Sequence, residues 1–253
     1  MARYPDPRIL ICALAPALAP LVAAARAFAA ETRFEVDESY SSDEADDRME
    51  RSFDVCWDRV VEDAYDEADE AAVAGHGAVM YVISEPVPRD RIVKATGEAV
   101  RLIAALLAGP GTAAKIENAG IAHGVSRWRA LAEGVRATRD AHTLGRVVRD
   151  AVLKPIGGER YYESIGLHLA GIPEVYVPLE SVKSEREAVR RMQAVADELL
   201  VESVDVVVAR HGASLDRKSQ YESGFEFKIN PWGVVKLPTR AVSAAIRPSR
   251  PGL

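Results

Sequence analysis

The alternation of apolar and polar positions divides the chain into strands and helices in turn. Residues 8–14 form a compact apolar run suited to a buried strand, and 17–30 have the alanine content and leucine spacing of a helix opened by prolines. Residues 32–36 (TRFEV) alternate with the period of a half-buried strand. Ser41, Ser42 and Asp43 offer N-cap chemistry, with Glu44 three residues after Ser41. A long helix is predicted to follow, because Met49, Phe53, Cys56, Trp57, Val60, Val61, Ala64 and Ala68 recur at three- and four-residue intervals until Gly75.

Residues 78–83 (AVMYVI) are apolar on both faces, which predicts a strand covered on both sides. Pro86 and Pro88 end it, a helix is predicted over 92–107, and Gly109-Pro110-Gly111 turns the chain into a short buried strand at 112–116, closing a β-α-β unit. One or two helices are expected over 126–152, an alternating strand over 159–169, a helix over 184–201 and a strand over 204–209. A hairpin over 225–237 turns at Asn230-Pro231-Trp232-Gly233. The predicted fold is therefore α/β (or α+β): a mixed sheet with helices packed on it and a C-terminal β-hairpin. The expected division is an N-terminal segment 1–74 ending in the long acidic helix, an α/β core over 75–238, and a disordered tail over 239–253.

Charge sharpens this picture. The chain as a whole is close to an ordinary globular composition at 48% hydrophobic and 28% charged, with a net charge of -6. Residues 37–70, however, hold fifteen acidic and three basic residues, so the rest of the chain is net basic. Phosphates would be repelled there, which argues against nucleic acid and for a basic protein partner. Calcium is rejected because the EF-hand pattern with its central glycine is absent and a continuous helix cannot wrap carboxylates round one ion. No cofactor and no metal site is assigned, and the sequence leaves the oligomeric state open.

Cys12 and Cys56 each sit among apolar neighbours and read as small buried hydrophobes rather than a disulfide framework, which favours a cytoplasmic setting. The alternative is export, with residues 1–29 as a signal peptide: Arg3 and Arg8 precede an apolar run, and Ala27-Phe28-Ala29 fits a cleavage site. Pro16 and Pro20 interrupt that run, so no membrane span is expected.

Three blocks, HGAVMYV at 76–82, AKIENAGIAH at 114–123 with Trp128, and RYYESIGLH at 160–168 continuing to Gly171-Ile172-Pro173, together resemble an uncharacterised bacterial family built on a domain of unknown function. The resemblance implies an α/β fold over about 75–238 and a bacterial origin, suggests an immunity or interaction role, and names no chemistry.

Candidate sites fall into two sets. Glu117, His123 and His168 stand near strand ends, where a His–carboxylate pair could move a proton, and they are the candidate catalytic residues of a hydrolase- or lyase-type enzyme. Lys115 and Glu117 share a strand face and are expected to form an ion pair. Asp58, Glu62, Asp66 and Asp69 on the acidic helix are the candidate docking residues of a protein-binding, immunity-like or accessory module. Phosphate-cradling glycine loops and nucleophile elbows are missing. Whether the protein is an enzyme is not decided by these patterns.

Overall fold

The computed structural model describes residues 6–29, 32–53, 64–217 and 230–239. Its architecture is α/β, as the alternation predicts, with two five-stranded sheets among the described residues. The first sheet has the order β2-β3-β1-β4-β5, made of β1 (Leu10–Ala15), β2 (Phe34–Ser42), β3 (Ala78–Ser84), β4 (Ala113–Ile116) and β5 (Ile121–His123), with every neighbouring pair antiparallel. β1 and β2 therefore run in the same direction on either side of β3, joined through α1 (Leu18–Ala29). β3 and β4 run in the same direction on either side of β1, joined through α4 (Ile92–Leu107). Two interlocked split β-α-β units of this kind give the strand order of the ferredoxin-like motif, here extended by β5.

Alternation along the strands gives this sheet two different faces. Ile11, Ala13, Met80, Val82, Ala114 and Ile116 face one way, into a core shared with Leu21 of α1 and Leu102 and Ile103 of α4. Cys12, Leu14, Val79, Ala113 and Ala122 face the other way, against Met49 and Phe53 of α2 (Arg48–Phe53) and Val73 of α3 (Glu67–Ala74). Covering on both sides is what the apolar run at 78–83 predicts, and only Tyr81 and Ile83 of that run are less than fully buried. β2, at the sheet edge, is largely exposed.

The second sheet has the order β6-β7-β8-β10-β9, made of β6 (Lys154–Gly157), β7 (Tyr161–Ile165), β8 (Glu174–Pro178), β9 (Ser214–Asp216) and β10 (Val234–Lys236). Its pairs are antiparallel except β8 with β10, which makes it a mixed sheet. α5 (Val125–Ala137) and α6 (Ala141–Val152) pack with α4, and Thr96 of α4 ties the layers by donating its hydroxyl to Leu169 O at 2.9 Å. α7 (Glu185–Leu199) packs on β8. No described helix is long and apolar enough to cross a membrane.

Several expectations are corrected. Residues 204–209 belong to a helix, α8 (Val204–His211), not a strand. Val206 is 47% exposed, Arg210 pairs with Glu198 and Glu202, and Gly212 closes the helix at φ 57, so capping and charge outweigh the β-branched run. The strand predicted over 159–169 stops at Ile165, because Gly166 takes φ 101 and starts a 3-10 turn at Leu167–Ala170. Ser41 and Ser42 end β2 rather than cap a helix: the Ser41 hydroxyl donates to Asp37 O at 2.7 Å and accepts from Tyr81 N at 3.0 Å.

The long acidic helix is not continuous in the described residues. Asp66 starts a fresh helix through a capping box with Asp69. Cys56, Trp57, Val60 and Val61 of the predicted stripe lie outside the described residues. The expected division after residue 74 does not mark a boundary in the fold, since β1 is inserted between β3 and β4. The same position makes residues 10–15 the central strand of the sheet, which a signal-peptide cleavage after residue 29 would take away.

At the C-terminus the predicted turn forms, with Gly233 N donating to Asn230 O at 3.1 Å and leading into β10. β10 pairs antiparallel with β9, and the segment predicted as its hairpin partner, 225–229, lies outside the described residues, as does the predicted tail beyond 239.

Candidate functional site

The second face of the first sheet, near the end occupied by β2, opens into a cavity of about 990 Å³. Parity dictates its floor: Leu10 pairs with Ile83 across β1 and β3, and Val79, Tyr81 and Ile83 point to the same side of β3. Its wall is the loop from β2 into α2, which contributes Glu44, Asp46 and Asp47, and the start of α2, which contributes Arg48 and Met49. His76 holds that loop in place. Its ring donates from Nδ1 to Val73 O at 2.6 Å and accepts at Nε2 from Asp46 N at 3.0 Å, which ties the loop to the end of α3.

β2 carries an irregularity between Asp37 and Ser42. Asp37 Oδ1 accepts from Ser39 N and from the Ser39 hydroxyl, and the bulged residues bring Tyr40, 75% exposed, to the mouth of the cavity.

Lys115 and Glu117 form the ion pair that their shared parity predicts, with Nζ 2.9 Å from Oε2. The ammonium is 2% exposed and is compensated on several sides: it donates to the Ser52 hydroxyl and to Ser52 O at 3.3 Å, and lies 5.2 Å from the Phe53 ring centroid. Glu117, a third exposed, carries the pair to the cavity wall. Behind it, burial pushes the Cys12 thiol up to about 12 despite the pull of Lys115, so it stays protonated and unreactive. Burial, together with Cys12 and Glu117, also raises Tyr81 above the usual phenol range. Hydrogen bonds from Arg48 hold Asp46 at about 2. The cavity is thus rich in acceptors and in negative charge, over an apolar floor.

The candidate catalytic residues are not gathered there together. Ala114 pairs with His123 and Lys115 with Ala122, so His123 points to the face opposite Glu117 and the sheet stands between them. His123 is buried against α6, 3.1 Å from Ala151 O through Nε2, with its ring edge-on to Trp128 at 4.9 Å. His168 lies in the 3-10 turn beside the second sheet, with Nδ1 3.5 Å from Glu174 Oε1. Among the described residues no three His, Cys, Asp or Glu side chains are grouped to hold a metal ion.

His123 instead makes a pH-dependent contribution to stability. Burial lowers its pKa from 6.5 to about 4, because Nδ1 is sealed without a partner and protonating it would bury a charge near Arg127. As pH falls, the unfolded chain takes up this proton first. The contribution is therefore complete above about 6.5 and is lost between about 6.5 and 4, to a total of about 3 kcal/mol. Urea denaturation across that range should show a slope that His123→Gln removes; an identical slope in the variant would refute this origin.

The acidic docking candidates divide as well. Asp58 and Glu62 lie outside the described residues. Asp66 accepts from Asp69 N at 2.9 Å, while Asp69 accepts from Asp66 N at 3.1 Å and from Val125 N at 3.0 Å, so these two carboxylates cap the starts of α3 and α5. Gly124 permits that approach: a Cβ there would stand 2.0 Å from Asp69 Oδ2. Sequence reasoning misses Tyr40, Tyr81, Asp46 and His76 as parts of one site. The parity of β1, β3 and β4 is readable, but their register, which brings Leu10, Ile83 and Glu117 to one cavity, is not.

Compared with protein-family models, with curated proteins and with solved structures, the chain matches none. The three sequence blocks fall on the entry to β3, on the β4–β5 hairpin with Trp128 beneath it, and on β7 with the 3-10 turn that follows.

Proposed function

We propose that this protein is a binding module, of the immunity-like or accessory kind, which engages a basic protein through its acidic surface. The observation that carries this reading is the cavity wall: Asp37, Glu44, Asp46, Asp47 and Glu117 line it, with Arg48 as the lining's one cation and Lys115 paired to Glu117, and the first four belong to the most acidic stretch of the chain. Like charges gathered round a concave surface steer an oppositely charged partner and raise its on-rate. The resemblance of the three blocks to an uncharacterised bacterial family agrees with an interaction role.

The test is capture from a host lysate on the immobilised protein at about 0.05 and about 0.5 M salt, a range over which the Debye length falls well below about 10 Å. A single stoichiometric basic protein, retained at low salt and released at high salt, is expected. Replacing Glu44, Asp47, Glu67 and Glu70 together with lysine should abolish its retention; Asp66 and Asp69 are left alone because they cap helices. Retention that ignores both salt and charge reversal overturns the reading. A turnover lost in Glu117→Gln or His123→Ala, with binding intact, replaces it with the hydrolase or lyase alternative.

A further inference from the structure

Resting on that reading, we propose that the cavity under Tyr40 is where the basic partner is held, and that its occupant is a short segment in which arginine alternates with apolar side chains. Volume leaves room for more than a single ion or a single side chain, because about 990 Å³ is at the upper end of ligand cavities and accommodates several residues. Chemistry then divides the lining. The floor, Leu10, Val79 and Ile83, has no charge to offer and matches aliphatic side chains, whereas Glu44 and Asp47 on the wall match cations.

Glu44 and Asp47 form no ion pair or hydrogen bond with another described residue, so their charge is available to a ligand. Tyr40 adds a preference among cations. A large aromatic ring left 75% exposed beside carboxylates suits a guanidinium, which stacks on the ring while its fork donates to the acids; an ammonium does the second more weakly and the first less often. Tyr81, inside the cavity and protonated through the neutral range, supplies a second ring.

The experiment measures binding of a short fluorescent peptide alternating arginine and leucine to the full chain by anisotropy. Two comparison peptides replace arginine with citrulline and leucine with glycine. Wild type is expected to bind the arginine–leucine peptide at least about tenfold more tightly than either comparison peptide, the size of one well-made charged or apolar contact. Tyr40→Ala and the pair Glu44→Lys with Asp47→Lys should each weaken binding about tenfold or more. The pair Glu67→Lys with Glu70→Lys, on α3 and outside the cavity lining, should change it less than about threefold, as distant surface charges do.

Equal losses from the two lysine pairs would show diffuse attraction to the acidic surface and overturn the cavity assignment while leaving the acidic docking reading in place. Failure of the wild type to prefer the arginine–leucine peptide overturns the cavity assignment too. Loss of salt-sensitive capture from the lysate is the separate result that overturns the broader reading. Circular dichroism of each variant establishes that it is folded before its binding is compared.

Discussion

Gly166→Ala is expected to unfold the protein or to cost more than about 4 kcal/mol, the range reached only by exceptional substitutions. Gly166 has φ 101, a conformation L side chains rarely adopt, and an added Cβ would stand 2.1 Å from Val152 O and 3.0 Å from the Ala119 Cβ. The first obstacle is backbone at the end of α6, and the second lies in the β4–β5 turn, so neither can swing aside as a flexible side chain would. Strain at the dihedral adds about 1 kcal/mol or more. Native stabilities are about 5–15 kcal/mol, so a loss of this size is decisive. Gly157→Ala is the internal control, since nothing lies within 4 Å of a Cβ there. Urea denaturation of both variants checks the contrast, and a Gly166→Ala protein within about 1 kcal/mol of wild type would contradict it.

What the sequence reveals about this fold depends on how local each signal is. β1, β3, α4 and β4 are legible because an apolar run or a 3.6-residue stripe is a property of the segment itself. β8, the central strand of the second sheet, is not legible: its five residues follow Pro173, and the buried Glu174 at its start breaks the apolar pattern. α8 misleads for the converse reason, a valine-rich run whose capping residues, not its apolar ones, set its conformation. At the candidate site the Lys115–Glu117 pair is legible from alternation within one strand. The separation of Glu117 from His123 is not, because the β4–β5 register turns Gly120 to φ 65 and folds two nearby residues onto opposite faces. The cavity depends on three strands and a loop meeting, and no local pattern encodes that meeting.

Glu174→Ala is expected to cost roughly 4 kcal/mol or more, because one carboxylate organises four separated parts of the second sheet. Its Oε2 accepts from the Ser164 hydroxyl at 2.6 Å and from Leu167 N at 3.3 Å, and its Oε1 from His168 N at 3.3 Å and Asn230 Nδ2 at 3.1 Å. β7, the 3-10 turn, β8 and the turn entering β10 are thereby tied together at a residue only 3% exposed. Alanine leaves several buried donors without an acceptor, each costing about 1–3 kcal/mol, and leaves a void as well. A glutamine at this position would keep the volume, yet its amide nitrogen must face a donor, so Glu174→Gln should still cost about 2 kcal/mol. Ser164→Ala removes one of the donors. In a double-mutant cycle with Glu174→Gln the two changes should be coupled by about 1 kcal/mol or more, because the second removes a partner the first has already spoiled. Urea midpoints of Glu174→Ala, Glu174→Gln, Ser164→Ala and the Glu174→Gln/Ser164→Ala double variant provide the measurement. A loss below about 1 kcal/mol in Glu174→Ala, or strict additivity in the cycle, would mean that the carboxylate is a passenger in the sheet rather than its tie.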